Sequence, residues 1–208
     1  MGMCESLPAS CPSACGKIRP FDDDMKKIRS SDSTSSDSSE ALAVYRPFIM
    51  SQDLQDLMIK HWETIKTQRP DICHKTMLMS IEASCKLNEI IACGRYCYRD
   101  LTKWPKLNQI CSAQFKFFER IVYESKLNPE LISSEASRLG ATHRNYAQYG
   151  MKPQFLDLFQ RNFLLILAKV KVEDADEKEA LMLAWNNLLS FIIGRIYASY
   201  VNIPQNAP

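Results

Sequence analysis

The sequence predicts an all-α fold, and two observations indicate it. The 208 residues include 20 Leu and 9 Met but only 5 Val, whereas β-rich proteins usually need more β-branched residues. From about Ser51 onward, apolar residues recur near the helical period of about 3.6 residues. We therefore expect about seven helices in a domain covering residues 49–202, with an N-terminal arm over residues 1–48 and a short tail over residues 203–208.

Proline and glycine positions divide the first predicted helices. The first helix begins near Ser51 and ends before Pro70, and the second begins at Asp71, its expected N-cap. A less regular stretch follows, which contains Gly94 and Pro105. The apolar positions of the two helices are Leu54, Met58, Trp62 and Ile65 in the first and Met77, Leu78 and Ile81 in the second.

A strong helical pattern resumes after this stretch and ends at Asn128-Pro129. Residues 131–139 then predict a short helix that Gly140 closes, just before His143. The apolar positions of the strong pattern are Ile110, Phe115, Phe118, Ile121 and Val122.

Two long apolar helices complete the predicted domain. Gly150 and Pro153 precede the first of them. Four acidic residues within positions 173–177 indicate the beginning of the second helix, because negative charge interacts favourably with the positive N-terminal end of a helix dipole. Their apolar positions are Phe155, Leu156, Phe159, Phe163, Leu164 and Leu167, and then Leu181, Trp185, Leu188, Leu189, Ile192 and Ile196.

Several classes of function are excluded by composition and motifs. The formal net charge of +2 is too small to drive nucleic-acid binding, so no nucleic-acid partner is expected. Only 6 Gly are present, and neither common phosphate-binding glycine motif occurs. No apolar run approaches the length of about 18 residues that a membrane span requires. No Ser/His/Asp set or pair of acids supports hydrolysis, and we expect no dedicated enzyme.

The eight cysteines indicate a reducing compartment. No C-x-x-C occurs and no apolar signal segment lies near the N-terminus, so the chain is expected in the cytosol with reduced thiols. Zinc is a weak alternative, because Cys93 and Cys97 have the spacing of one helix face and no His follows them at the short spacing of a zinc site. Cys85, Cys93, Cys97 and Cys111 are either buried and inert or a thiol set that responds to redox chemistry.

The N-terminal arm is predicted to be disordered. Eight of the eleven residues from Ser30 to Glu40 are Ser or Thr and the others are acidic, which leaves little apolar surface to offset the entropy of ordering. This stretch is either a solubilising linker or a cluster of phosphorylation sites.

The first six residues predict lipidation. Met1-Gly2-Met3-Cys4-Glu5-Ser6 fits M-G-x-x-x-[ST], so loss of Met1 would expose Gly2 for N-myristoylation. One myristoyl chain binds membranes only marginally, and palmitoylation of Cys4, with Cys11 and Cys15 as further options, would add the second signal. A basic patch is a poorer second signal, because three acids at residues 22–24 interrupt it. We therefore expect the chain at the cytoplasmic side of the plasma membrane or another membrane, and partly in the cytosol.

Three histidines are present, and only His143 has a suggestive context. His61 and His74 have no neighbours that indicate a ligand or a base. His143 follows Leu139 by four residues, about one helical turn, and so lies on the same apolar face. A lone His on such a face is commonly a core residue, so the surrounding motif decides its role.

The C-terminal half resembles the globin family, most closely the diverse nematode globins. The residues that carry the resemblance are Leu139-Gly140-Ala141-Thr142-His143, Tyr149-Gly150-Met151-Lys152-Pro153-Gln154-Phe155 and Ala184-Trp185. It covers roughly residues 51–202 and is weaker in the N-terminal half. The His of the L-G-x-x-H motif is the proximal haem ligand in that family. The resemblance thus implies haem b (iron), with His143 bound to the iron and with Leu139 and Phe155 against the porphyrin.

The same resemblance implies a distal side. Gln114 lies 29 residues before His143, at the distal position, with Phe118 one turn later and Met77 at the distal position of the second helix. Gln donates hydrogen bonds to dioxygen but does not readily coordinate iron. The chain departs from the family where a Pro and a haem-stacking Phe are usual, since it has Cys85 and Ile91 there.

Three functions follow as hypotheses. The first is a globin that reversibly binds dioxygen or another small gas and acts in redox or oxygen signalling at a membrane, with an unknown redox partner and with electron transfer or superoxide release at haem as its chemistry. The second is a soluble oxygen carrier or store. The third is a helical interaction module that binds no haem.

Overall fold

The computed structural model describes residues 48–94 and 99–201. The chain divides into two units, residues 1–38 and 39–208, and all described residues belong to the second. The predictions for the N-terminal arm, for lipidation of Gly2 and Cys4, and for the tail at residues 203–208 therefore lie outside the described residues.

The described residues form seven α-helices and no β-strand, so the predicted all-α fold class is confirmed. Short 3-10 turns at Leu101–Lys103 and Ala147–Tyr149 and a π-helical segment at Arg120–Glu124 join some of these helices. The helices are α1 (Gln52–Gln68), α2 (Ile72–Ala83), α3 (Cys85–Ile91), α4 (Pro105–Glu119), α5 (Pro129–Arg144), α6 (Phe155–Leu167) and α7 (Ala175–Tyr200).

Side-chain caps explain where three of the helices begin, and at α1 the Ser51 side chain accepts a hydrogen bond from the N–H of Leu54. The Asn128 side chain accepts hydrogen bonds from two N–H groups of the first turn of α5, and Asp174 does the same for α7. Asp71 stands at the N-cap position of α2, as predicted, but its side chain makes no capping hydrogen bond and instead pairs with Lys75 at 2.7 Å. Asp71 has φ −95° and ψ 10°, outside the extended conformation that aims a capping side chain at the next turn.

Gly140 does not close its helix, which corrects the prediction of a short helix over residues 131–139. Helix α5 continues to Arg144, so His143 lies in its last turn. A Cβ at Gly140 would lie 2.4 Å from the backbone oxygen of Ile196 and 2.7 Å from Cβ of Ser199. The glycine therefore allows α5 and α7 to approach closely, rather than ending α5.

Helix α7 lies at the centre of the packing. It packs against α5, α1 and α6, while α2 packs against α6 and α4. Trp185 of α7 is fully buried, with its ring centroid 5.6 Å from Trp62 of α1 and 5.2 Å from Phe163 of α6. Of the described helices, α7 alone is long and apolar enough by composition to cross a membrane. Eight of its 26 residues are buried in the domain.

Candidate functional site

A cavity of about 580 Å³ lies among helices α2 to α7. This volume is within the range of cofactor and small-molecule sites. Most of its walls are apolar, with Leu87 and Ile90 from α3 and Leu189 and Ile192 from α7. The structure brings together at this cavity all the residues that the globin resemblance suggested for a haem pocket, namely Met77, Ile91, Gln114, Phe118, Leu139, His143 and Phe155.

His143 presents a neutral imidazole at one wall of the cavity. Its Nδ1 lies 2.8 Å from the backbone oxygen of Leu139. A carbonyl oxygen can only accept, so Nδ1 carries the proton and the lone pair is on Nε2. Burial lowers the pKa of His143, and the hydrogen bond to Leu139 opposes this only in part. A neutral ring with its other nitrogen anchored is the form that binds metals.

The end of α5 that carries His143 is clamped to α7. Arg144 Nε donates a hydrogen bond to the backbone oxygen of Tyr200 at 2.7 Å, and its guanidinium also donates to the oxygen of Ser199. Tyr200 Oη in turn donates to the backbone oxygen of Met151 at 2.6 Å. Together with the close approach at Gly140, these hydrogen bonds hold His143 in position relative to the residues of α7 that line the cavity.

Gln114 and Met77 meet on two other helices that line the cavity. Gln114 Nε2 donates a hydrogen bond to Met77 Sδ at 3.4 Å, and a thioether is a weak acceptor. Oε1 of Gln114 is buried and has no hydrogen-bond partner among the described residues. A buried acceptor without a hydrogen bond destabilises the fold by about 1–3 kcal/mol. The Gln114 amide is therefore weakly held, and its free energy would fall if Oε1 turned toward a donor.

The remaining predicted residues are apolar side chains in the wall of the cavity. Phe118 is almost fully buried and packs its ring against Phe163 at 5.3 Å, so only part of it borders the cavity. Ile91 ends α3 and lies at the wall, where it offers an aliphatic surface instead of an aromatic ring. Phe155 begins α6, and Leu139 lies one turn before His143 on α5.

Sequence reasoning missed a set of charged residues at the cavity. Lys106, Lys116, Arg120 and Arg138 line it together with one acid, Glu135. Oε2 of Glu135 accepts from Arg138 at 2.7 Å and from Arg120 at 3.1 Å, and these two arginines hold the pKa of Glu135 below its usual range. In the sequence each of these residues occupies a polar helix position, typical of a solvated face, so no local signal marks them.

The other two histidines do not line the cavity. His61 is buried on α1, where its Nε2 lies 2.9 Å from Glu177 Oε2, and this contact joins α1 to the first turn of α7. His74 is half-buried on α2.

Two cysteines on helices that line the cavity, Cys73 on α2 and Cys111 on α4, have buried thiols. Burial raises the pKa of the Cys111 thiol to about 11, and it raises the pKa of Cys73 further. Both thiols therefore stay protonated at neutral pH, which makes them poor nucleophiles. Cys97 lies outside the described residues. Within residues 48–94 and 99–201, no group of three His, Cys, Asp or Glu side chains could hold a bare metal ion.

Comparison with known proteins assigns no family. No family model matches the chain, and no curated protein matches it at a significant level. The chemistry of the cavity is therefore the basis for a functional proposal.

Proposed function

We propose that this chain is a haem-binding globin that reversibly binds dioxygen or another small gas and acts in redox or oxygen signalling at the inner face of a membrane. The observation that carries the proposal is a neutral His143, anchored through Nδ1, at the wall of an apolar cavity of about 580 Å³. The purified protein is expected to bind haem b, and an absorption spectrum tests this.

The chemistry of the cavity residues fits haem b. Haem iron needs only one ligand from the protein, and Nε2 of His143 would provide it. Leu139 and Phe155 would pack against the porphyrin on the same side. The faces of haem b are apolar, and they match the apolar walls of the cavity. One edge of haem b carries acidic groups, and the cavity offers four cationic side chains against one acidic side chain. When bound, haem supplies an iron that binds a small ligand and exchanges an electron.

The residues of the chain then control that iron. The hydrogen bond from His143 Nδ1 to Leu139 orients the imidazole and makes Nε2 a better donor. The apolar walls would limit the access of water to the haem. Gln114 would be able to donate a hydrogen bond to the ligand, because its NH₂ group carries two hydrogens and Met77 engages one of them.

Replacing Gln114 with Leu is expected to speed dioxygen dissociation about tenfold, because a hydrogen bond to a polar ligand contributes about 1.5 kcal/mol. Stopped-flow displacement of dioxygen from the ferrous protein measures the rate. Met77→Leu is a comparison variant, since it removes the thioether that the Gln114 amide contacts and leaves the amide itself available to the ligand. An unchanged rate in Gln114→Leu would contradict this role. A six-coordinate ferrous spectrum without added ligand would contradict an open site.

Membrane attachment rests on the N-terminal motif. Gly2→Ala is expected to move the protein from the membrane fraction to the cytosol, and Cys4→Ser is expected to weaken retention while leaving myristoylation intact. The reason is that one myristoyl chain holds a protein only marginally, so both signals are needed. Fractionation with metabolic acyl labelling measures both effects. Wild-type protein that is wholly soluble in its own cells would refute the proposal.

A second candidate function is a haem-free interaction module. Ile91 favours it, because an aliphatic side chain lies at the wall where the globin resemblance implies a ring stacked on haem. A folded protein that takes up no haem on reconstitution would support this candidate over the first.

A further inference from the structure

The charged side chains of the cavity come from only two parts of the chain. Within the described residues, all of them lie on α4, on the segment directly after it or on α5. The residues that α2, α3, α6 and α7 contribute to the lining are uncharged. The lining therefore combines a charged part with an uncharged part.

Three of the four cations belong to one group. Arg120 and Arg138 both donate to Oε2 of Glu135, at 3.1 Å and 2.7 Å. Lys116 precedes Arg120 by four residues, a spacing that places two helical side chains on the same face. Lys116 has no ion-pair partner among residues 48–94 and 99–201. Positive charge is therefore left unneutralised at this part of the cavity.

The two arginines have hydrogen-bond donors to spare. A guanidinium carries five N–H donors, and each arginine uses only Nη2 to reach Glu135. The Glu135 side chain is 33% exposed, and ion pairs at such exposure contribute little net stability, so the arginines can rearrange at low cost. The planar fork of a guanidinium matches the two oxygens of a carboxylate. This part of the cavity therefore fits the carboxylate of a ligand.

The uncharged part of the lining is long and mainly aliphatic. The lining follows α5 from Glu135 to His143 and α7 from Leu189 to Ile196. At the helical rise per residue these stretches are about 12 Å and about 10 Å long. Ile91 suits a hydrocarbon chain, because such a chain packs against aliphatic side chains and needs no aromatic ring to stack on.

We propose that the cavity of the haem-free protein binds a long-chain fatty acid, with its carboxylate at Lys116, Arg120 and Arg138 and its hydrocarbon chain along α5 and α7. The fatty acid and the proposed haem would occupy the same cavity and exclude each other. The fatty acid needs no bond to His143, so this inference goes beyond the proposed function and does not depend on it.

Calorimetric titration of the full-length, haem-free protein with saturated fatty acids of about 8 to 16 carbons, each kept below its micelle concentration, tests the proposal. The protein carries Gly2→Ala, so that no acyl group of the chain itself competes. Affinity is expected to rise up to about fourfold for each added CH₂ until the cavity is filled, because each buried CH₂ contributes about that factor.

Two variants test the carboxylate end. Lys116→Met is expected to lower the affinity about threefold at every chain length, because it removes an exposed positive charge beside the carboxylate. Glu135→Gln is expected to raise the affinity by a similar factor, because the ligand no longer competes with Glu135 for the two arginines. Lys169→Met is the matched control, since Lys169 is exposed and does not line the cavity.

A third variant tests the hydrocarbon end. Ile193 is half-buried on α7 and lines the cavity, so Ile193→Phe takes up part of its volume and is expected to weaken the binding of the longest chains only. Added haem is expected to release the fatty acid. His143→Leu is expected to retain fatty-acid binding, because the imidazole is not needed for it.

Thermal unfolding gives a second readout, because a ligand that binds only the folded state raises the unfolding midpoint. No binding and an unchanged midpoint with every fatty acid would overturn this inference and leave the haem proposal intact. Binding that is independent of chain length, of Lys116 and of Glu135 would also overturn it. Fatty-acid binding by a protein that takes up no haem would instead overturn the haem proposal and leave this inference intact.

Discussion

His143→Leu is expected to abolish stable haem uptake, so that the purified variant shows no Soret band after reconstitution. His143 is the histidine of the described residues that lines the cavity, and its Nδ1 is already committed to Leu139. Leucine keeps similar bulk at this half-buried position and removes the nitrogen that is proposed to bind iron. The loss is therefore chemical rather than structural, and helical circular dichroism is expected to remain.

His61→Ala and His74→Ala are the controls for that result. Neither residue lines the cavity, so both variants are expected to retain the Soret band. His61→Ala removes a contact with Glu177 between α1 and α7 and is expected to lower stability without lowering haem content. Equal haem content in His143→Leu and wild type would remove His143 from the proposed site.

Gly140→Ala is expected to destabilise the protein by about 1–3 kcal/mol and to lower its haem affinity. The added Cβ would meet a backbone oxygen of α7 at 2.4 Å, and a backbone atom cannot rotate away. The two helices must separate, and His143 lies only one turn further along α5. Urea unfolding measures the first effect, and haem titration measures the second.

Gly194 offers a matched control for this substitution. It is also helical, on α7, and a Cβ there would meet nothing within 4 Å. Gly194→Ala is therefore expected to stabilise the protein by up to about 1 kcal/mol, since Ala has the better helix propensity. If both alanine variants stabilise the protein equally, the close approach at Gly140 is not a packing constraint.

Most of the fold could be predicted from the sequence, because the apolar residues of its helices recur at the helical period and helix-breaking or helix-capping residues separate the helices. Asn128-Pro129 identified the break before α5, although the predicted helix began at Leu131 and the observed one begins at Pro129. The four acids between Glu173 and Glu177 identified the beginning of α7, which begins at Ala175. The ending at Gly140 was wrong because a glycine that allows close helix packing has the same local sequence as one that ends a helix.

The candidate site was predictable only in part. Helical phase and the globin resemblance selected Met77, Gln114 and His143, which lie on different helices and all line the cavity. The paired Glu135 and Arg120 were not predictable, because they are distant in sequence and meet only where α5 passes the segment after α4. The weak contact between Gln114 and Met77 also depends on how α2 and α4 pack, which no local pattern specifies.

The most direct test of the account is the absorption spectrum of the full-length protein purified with an adequate haem supply and then titrated with haem b. The account predicts one haem for each chain, a Soret band that shifts when carbon monoxide binds the ferrous form, and loss of that band in His143→Leu. A folded, helical protein that takes up no haem, or that binds it equally well without His143, would contradict it.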